Sequence, residues 1–191
     1  AFYLGAGQDL RAILALERAQ ALGLLVAPKD YFNLIGIYFN IGQFGKAAEL
    51  LETGLRVGQI ENEIKNWELL ALAYNQLDRP LKSIEALKSA TKAFPESGQL
   101  EFMIAQAYHT LEKPTEALPH LQAAVTKGGL SKPHSAYLFL AYVAYELKKF
   151  DIALEAAKKG AAYPEGAKDG QNMIKAIEEI LKDRDLKKSK M

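Results

Sequence analysis

Three histidines, paired with carboxylates or each other, are the side chains here that could bind metal or move protons. They stand at His109, His120 and His134, and no two of them fall at metal-ligand spacing. His109 and Glu112 form an i, i+3 pair on one helical turn, which suits a surface hydrogen bond. There is no glycine-rich phosphate loop, no H-E-x-x-H and no nucleophile elbow. Absence of cysteine excludes disulfides, thiol catalysis and thiolate metal sites. Catalysis, a metal and a cofactor therefore have no support. Non-covalent recognition is the expected chemistry, and aromatic rings flanked by amides are the residues to place.

Their positions depend on the elements that carry them. In "WELLALAY", residues 67–74, Trp67, Leu70, Ala71 and Tyr74 share one face of a helix advancing about 100° per residue. Ala71 is a notch between two rings, which predicts a second helix packed close against it. The stripe recurs with Tyr31, Leu34, Ile35 and Tyr38, then Ile104, Ala105 and Tyr108, then Tyr137, Leu140 and Ala141. A second stripe of small residues follows each: Ala47 and Gly54, Ser83 and Ala90, Ala117 and Ala124, Ala153 and Gly160. Each unit is a pair of amphipathic helices. At 191 residues, 49% apolar and 25% charged, the chain can bury a real core. Its net charge of +1 asks for neither nucleic acid nor an anionic membrane, and no apolar run reaches a membrane span.

This pattern resembles the tetratricopeptide repeat, W-x2-L-G-x2-Y followed by A-x3-F and a proline. Trp67 and Pro95 make residues 64–97 the nearest match. The implied fold is all-α: a right-handed superhelical array of antiparallel helix pairs, with a C-terminal capping helix. Repeats are expected over 28–61, 64–97, 98–131 and 134–167, after a truncated repeat over 1–27 in which Tyr3, Gly7, Ala12, Leu16 and Ala19 fit the pattern. The chain thus reads as cut from a longer array, with any signal peptide upstream. Met173, Ile174, Ile177, Ile180 and Leu181 predict the capping helix over 168–183, and 184–191 reads as a charged, frayed tail. Gly23-Leu24-Leu25, Gly58-Gln59-Ile60 and Gly128-Gly129-Leu130 predict a left-handed cap with an aliphatic residue packing back.

In this family the second stripe of each first helix, at repeat positions 2, 5, 9 and 12, lines a concave surface that receives a partner's peptide or helix. The resemblance assigns to that groove Phe32, Phe39, Lys65, Glu68, Asn75, Gln99, Phe102, Gln106, His109, Leu138, Tyr142 and Tyr145. Phe32, Phe39, Phe102, Tyr142 and Tyr145 are surplus to the repeat's own core, which makes them the expected anchors. The carboxylate clamp for acidic chaperone tails is missing. Its five places hold Phe32, Gly36, Leu69, Gln99 and Met103, or one unit later Glu68, Leu72, Met103, Ser135 and Phe139.

A narrower likeness rests on "KAAELLETGLRVGQIE", "NWELLALAYNQ" and above all "KGGLSKP". These runs look like the C-terminal repeats of proteins that accompany TonB–ExbB–ExbD systems in Gram-negative bacteria. The chain departs from that pattern at positions 4 and 8, where Tyr31, Glu101, Ile35 and Ala71 stand. The likeness implies a non-catalytic scaffold in the periplasm with envelope proteins as partners, neither binding nucleic acid nor inserting into the membrane. The alternative is a cytoplasmic co-chaperone or assembly adaptor.

Overall fold

A computed structural model describes residues 11, 13–19, 21–23 and 27–188. Residues 13–19 are helical, and the other described residues form nine α-helices and one short 3-10 turn, with no strand among them. The helices are α1 (Pro28–Asn40), α2 (Phe44–Val57), α3 (Ile64–Gln76), α4 (Pro80–Ala93), α5 (Gly98–Thr110), α6 (Pro114–Lys127), α7 (Pro133–Glu146), α8 (Phe150–Ala161) and α9 (Ala167–Lys188). Tyr3, Gly7, Ala12, Leu24 and Leu25 lie outside the described residues.

Each of the four described first helices, α1, α3, α5 and α7, ends in the same turn. Gly42, Asp78, Glu112 and Lys148 all take positive φ, between 53° and 72°. One residue later, the backbone N–H of Gln43, Arg79, Lys113 and Lys149 donates to the carbonyl of Tyr38, Tyr74, Tyr108 and Ala144, at 2.8–3.0 Å. That is a Schellman closure, which satisfies a carbonyl the helix end would leave orphaned. Glycine carries the left-handed residue in the first turn only. In the other three a charged residue does, so turn composition alone does not reveal the shared geometry. Pro114 and Pro133 begin their helices, where a missing amide hydrogen costs no helical bond.

The chain divides into two compact units, up to Ala86 and from Leu87. In the first, Leu34, Ile35, Ala47, Leu51, Ile60 and Leu70 form a core with almost no exposure. Gly58 is left-handed, with φ 76°, and Ile60 folds back onto Gly54, its N–H donating to the Gly54 carbonyl at 3.0 Å. A Cβ on Gly54 would meet the Ile60 side chain at 2.6 Å, so the glycine is required by close approach. Ala71 and Ser83 are wholly buried.

In the second unit α5 packs on α6 and α7 on α8. Ala105, Ala117, Leu121, Ala141, Ala153 and Ala157 are wholly buried in one cluster, the small residues admitting the neighbouring backbone. Gly128 has φ 72° and ψ −152°, an extended mirror conformation that differs from the left-handed helical cap expected from Gly128-Gly129-Leu130. Gly129 follows at φ 64°, so two glycines share the reversal here, and Leu130 is only half-buried.

Helix α9 covers α8 through Ile174 and Ile177, with Met173 and Leu181 partly buried beside them. It continues to Lys188, so residues 184–188 are helical and not the frayed tail expected from their charge. No glycine or proline occurs from 171 to 188 to stop it, and its lysines and arginine suit a helix C-terminus. No described helix is long and apolar enough to cross a membrane.

Candidate functional site

The groove residues fall into two groups, one in each compact unit. In the first, Phe32 and Phe39 are half-buried against the core, and Phe39 meets Phe44 edge-on, with ring centroids 5.6 Å apart. Both rings are largely spent on packing. Lys65 is exposed and pairs with Glu63 in the connection before α3. Half-buried Glu68 has its carboxyl pKa raised by desolvation. Asn75 is exposed on the last turn of α3.

The second unit assembles more. Phe102 and His109 project from α5, and Phe139, Tyr142 and Glu146 from α7. Phe139 is the hub: the Phe102 ring meets it edge-on at 6.1 Å and the His109 ring at 5.1 Å. His109 also meets the Tyr142 ring edge-on at 5.6 Å, and its Nε2 lies 3.4 Å from a Glu146 carboxylate oxygen. Its acidic neighbour is therefore on the next first helix, whereas Glu112, the partner suggested by i, i+3 spacing, occupies the left-handed turn. Tyr142 is 50% exposed, Gln106 is exposed one turn before Thr110, and Tyr145 is 38% exposed with its ring edge-on to Phe150 at 5.7 Å. This strip offers apolar edges, an amide, a phenol and one carboxylate.

Three assigned residues have other duties. The Gln99 side-chain oxygen accepts from the Ser131 N–H and hydroxyl, both at 3.2 Å, which ties the loop after α6 back to α5. Leu138 packs on Gly160 of α8, occupying the space a Cβ there would need, and so serves its own helix pair. Phe102 is half-buried and packs on the core cluster. It is an anchor with a structural share, not a freely removable one.

Sequence reasoning passed over Phe139 and Glu146, because both follow positions already assigned to core and groove. It also passed over a partly buried hydrogen-bonded cluster around Glu101 at the α5–α6 contact. Glu101 accepts from Lys127 Nζ at 2.6 Å and sits 2.7 Å from His120 Nδ1. The His120 ring stacks on Tyr108 at 5.5 Å. Burial pushes the Glu101 carboxyl pKa up, but the bonds from Lys127 and His120 outweigh that and hold it below its ordinary value. The signal was available: Glu101 stands where Tyr31, Trp67 and Tyr137 stand in the other repeats.

Solved structures share the fold. MamA aligns at 22% identity over 78% of this chain and 84% of its own, with a TM-score of 0.64. BtubC from P. vanneervenii aligns at 17% identity over 93% and 83%, with a TM-score of 0.65. YrrB, described as a TPR protein with an unusual peptide-binding site, aligns at 17% identity over 92% and 86%, with a TM-score of 0.62. No curated protein matches the sequence. A tetratricopeptide repeat profile matches residues 68–131 and 102–167, together more than half of the 191 residues. With the paired helices and their recurring turn, that match places the chain in the tetratricopeptide repeat family.

Proposed function

We propose that this chain is a non-catalytic scaffold that receives a peptide or helix of a partner protein on the α5–α7 strip. Tetratricopeptide repeats are protein-interaction folds, and YrrB carries a peptide-binding site on the same architecture. One observation supports this strip above the rest of the groove: half-exposed Tyr142 and partly exposed His109 stand over a Phe139–Phe102 pair, with Gln106 and Glu146 alongside. Rings give contact area at low entropic cost, and the amide and carboxylate can take a partner's donors. From "KGGLSKP" and the other runs that resemble the TonB-associated repeat proteins, the partners proposed are envelope proteins of a TonB-type system and the compartment is the periplasm.

Tyr142→Ala is the informative variant, since a ring this exposed contributes little to the core while an interface anchor costs about 2 kcal/mol or more. Partner capture from a Gram-negative envelope fraction should fall at least tenfold while thermal unfolding stays within a few degrees of the parent. Undiminished capture would reject this strip, and capture lost only together with folding would show the ring to be structural.

A further inference from the structure

Four tyrosine rings of this chain carry one of its own lysines. Lys46, Lys82, Lys88 and Lys159 stand over Tyr38, Tyr74, Tyr108 and Tyr137, each Nζ 5.1–5.9 Å from the ring centroid. The first is the fullest case. Lys46 Nζ is 5.5 Å from the Tyr38 centroid and 2.6 Å from a Glu17 carboxylate oxygen, so a ring and a carboxylate share one cation. The negative face of the ring and the carboxylate attract the same ammonium, and each strengthens the hold of the other.

Helix α7 presents the same two groups without a lysine of the chain's own. Tyr142 and Glu146 are four residues apart and so share a helix face. One imidazole touches both: the His109 ring meets Tyr142 edge-on at 5.6 Å, and its Nε2 lies 3.4 Å from a Glu146 oxygen. Both groups are open to a partner, Tyr142 being 50% exposed and the Glu146 side chain 44%. Among the described residues no lysine or arginine lies over the Tyr142 ring, and none pairs with Glu146. Lys148 and Lys149 come next in sequence, yet neither ammonium reaches that carboxylate. A guanidinium suits this place better than an ammonium. It is flat, so it stacks on a ring, and its forked N–H groups match a carboxylate.

We propose that Tyr142 and Glu146 seat an arginine side chain of the partner segment, its guanidinium stacked on the phenol ring and forked onto the carboxylate. This rests on the α5–α7 strip as the docking surface and adds the residue that the partner brings to it. NMR of the full chain titrated with N-acetyl-argininamide should show saturable shifts at His109, Tyr142 and Glu146. N-acetyl-citrullinamide has nearly the same shape without the charge and should bind at least about fivefold more weakly. Glu146→Gln should erase that preference with unfolding unchanged, and Tyr142→Ala should weaken argininamide binding. The comparison of the two probes on the parent chain needs no variant, so it decides even where a variant fails to fold. Absent or scattered shifts, equal binding of the two probes, or an arginine preference that survives Glu146→Gln would each overturn the assignment. Partner capture separates the seat from the strip, and both variants should lose it. Capture lost in Tyr142→Ala but kept in Glu146→Gln would remove the arginine seat and leave the strip standing. Capture kept in both would reject the strip, and the seat with it.

Discussion

Replacing Glu101 by alanine tests how the α5–α6 pair is held where its expected aromatic is missing. The Glu101 side chain is 12% exposed, and its two hydrogen-bond partners are about a quarter exposed, His120 at 25% and Lys127 at 26%. Each charge-assisted hydrogen bond is worth about 1.5–3 kcal/mol, and breaking a fully buried pair costs about 3–5 kcal/mol. Because both partners can rehydrate from their positions, the loss should fall at the lower end, about 2–3 kcal/mol. Urea denaturation followed by circular dichroism at neutral pH reads it directly. Acid supplies the second reading. The folded-state pKa of Glu101 is depressed from 4.5, so its stabilisation is complete above the ordinary carboxylate range and is lost as pH falls through the folded value. The difference between parent and Glu101→Ala should therefore shrink in acid, while contributions from other carboxylates cancel in the comparison. A neutral-pH difference below about 0.5 kcal/mol, or one that stays constant into acid, would refute the reasoning.

Ala105→Leu should overpack the α5–α6 contact and cost about 1–3 kcal/mol, read as a lower urea midpoint, because Ala105 and Ala117 are wholly buried in the same cluster. Gly98→Ala should cost at least as much, since a Cβ there would run into the carbonyl oxygens of Gly128 and Ala124, and the same melt checks it. Peptides with an acidic chaperone-like C-terminus should bind no better than scrambled ones by fluorescence anisotropy, because Phe32, Gly36, Leu69, Gln99 and Met103 replace the clamp.

What was legible in the sequence followed from contacts within one helix pair. Trp67, Leu70, Ala71 and Tyr74 lie on a single helix, so their spacing alone sets the face they share, and the small residues opposite fix the partner helix. The all-α repeat fold could be read at that range. The turns could not, because Asp78, Glu112 and Lys148 adopt a left-handed backbone that their side chains do not favour and that the six-residue closure imposes. Contacts between successive pairs were the least legible. His109 meets Glu146 and Phe139 on the next first helix, and which residues meet there depends on the length and path of the Gly128-Gly129 connection rather than on helical period. Leu138 shows the same limit from the other side: its position assigns it to the groove, yet the absent side chain at Gly160 lets it sink into its own pair. An interaction surface built from neighbouring repeats is therefore encoded mainly in the glycines and small residues that decide how near the helices come, and the exposed rings follow from that spacing.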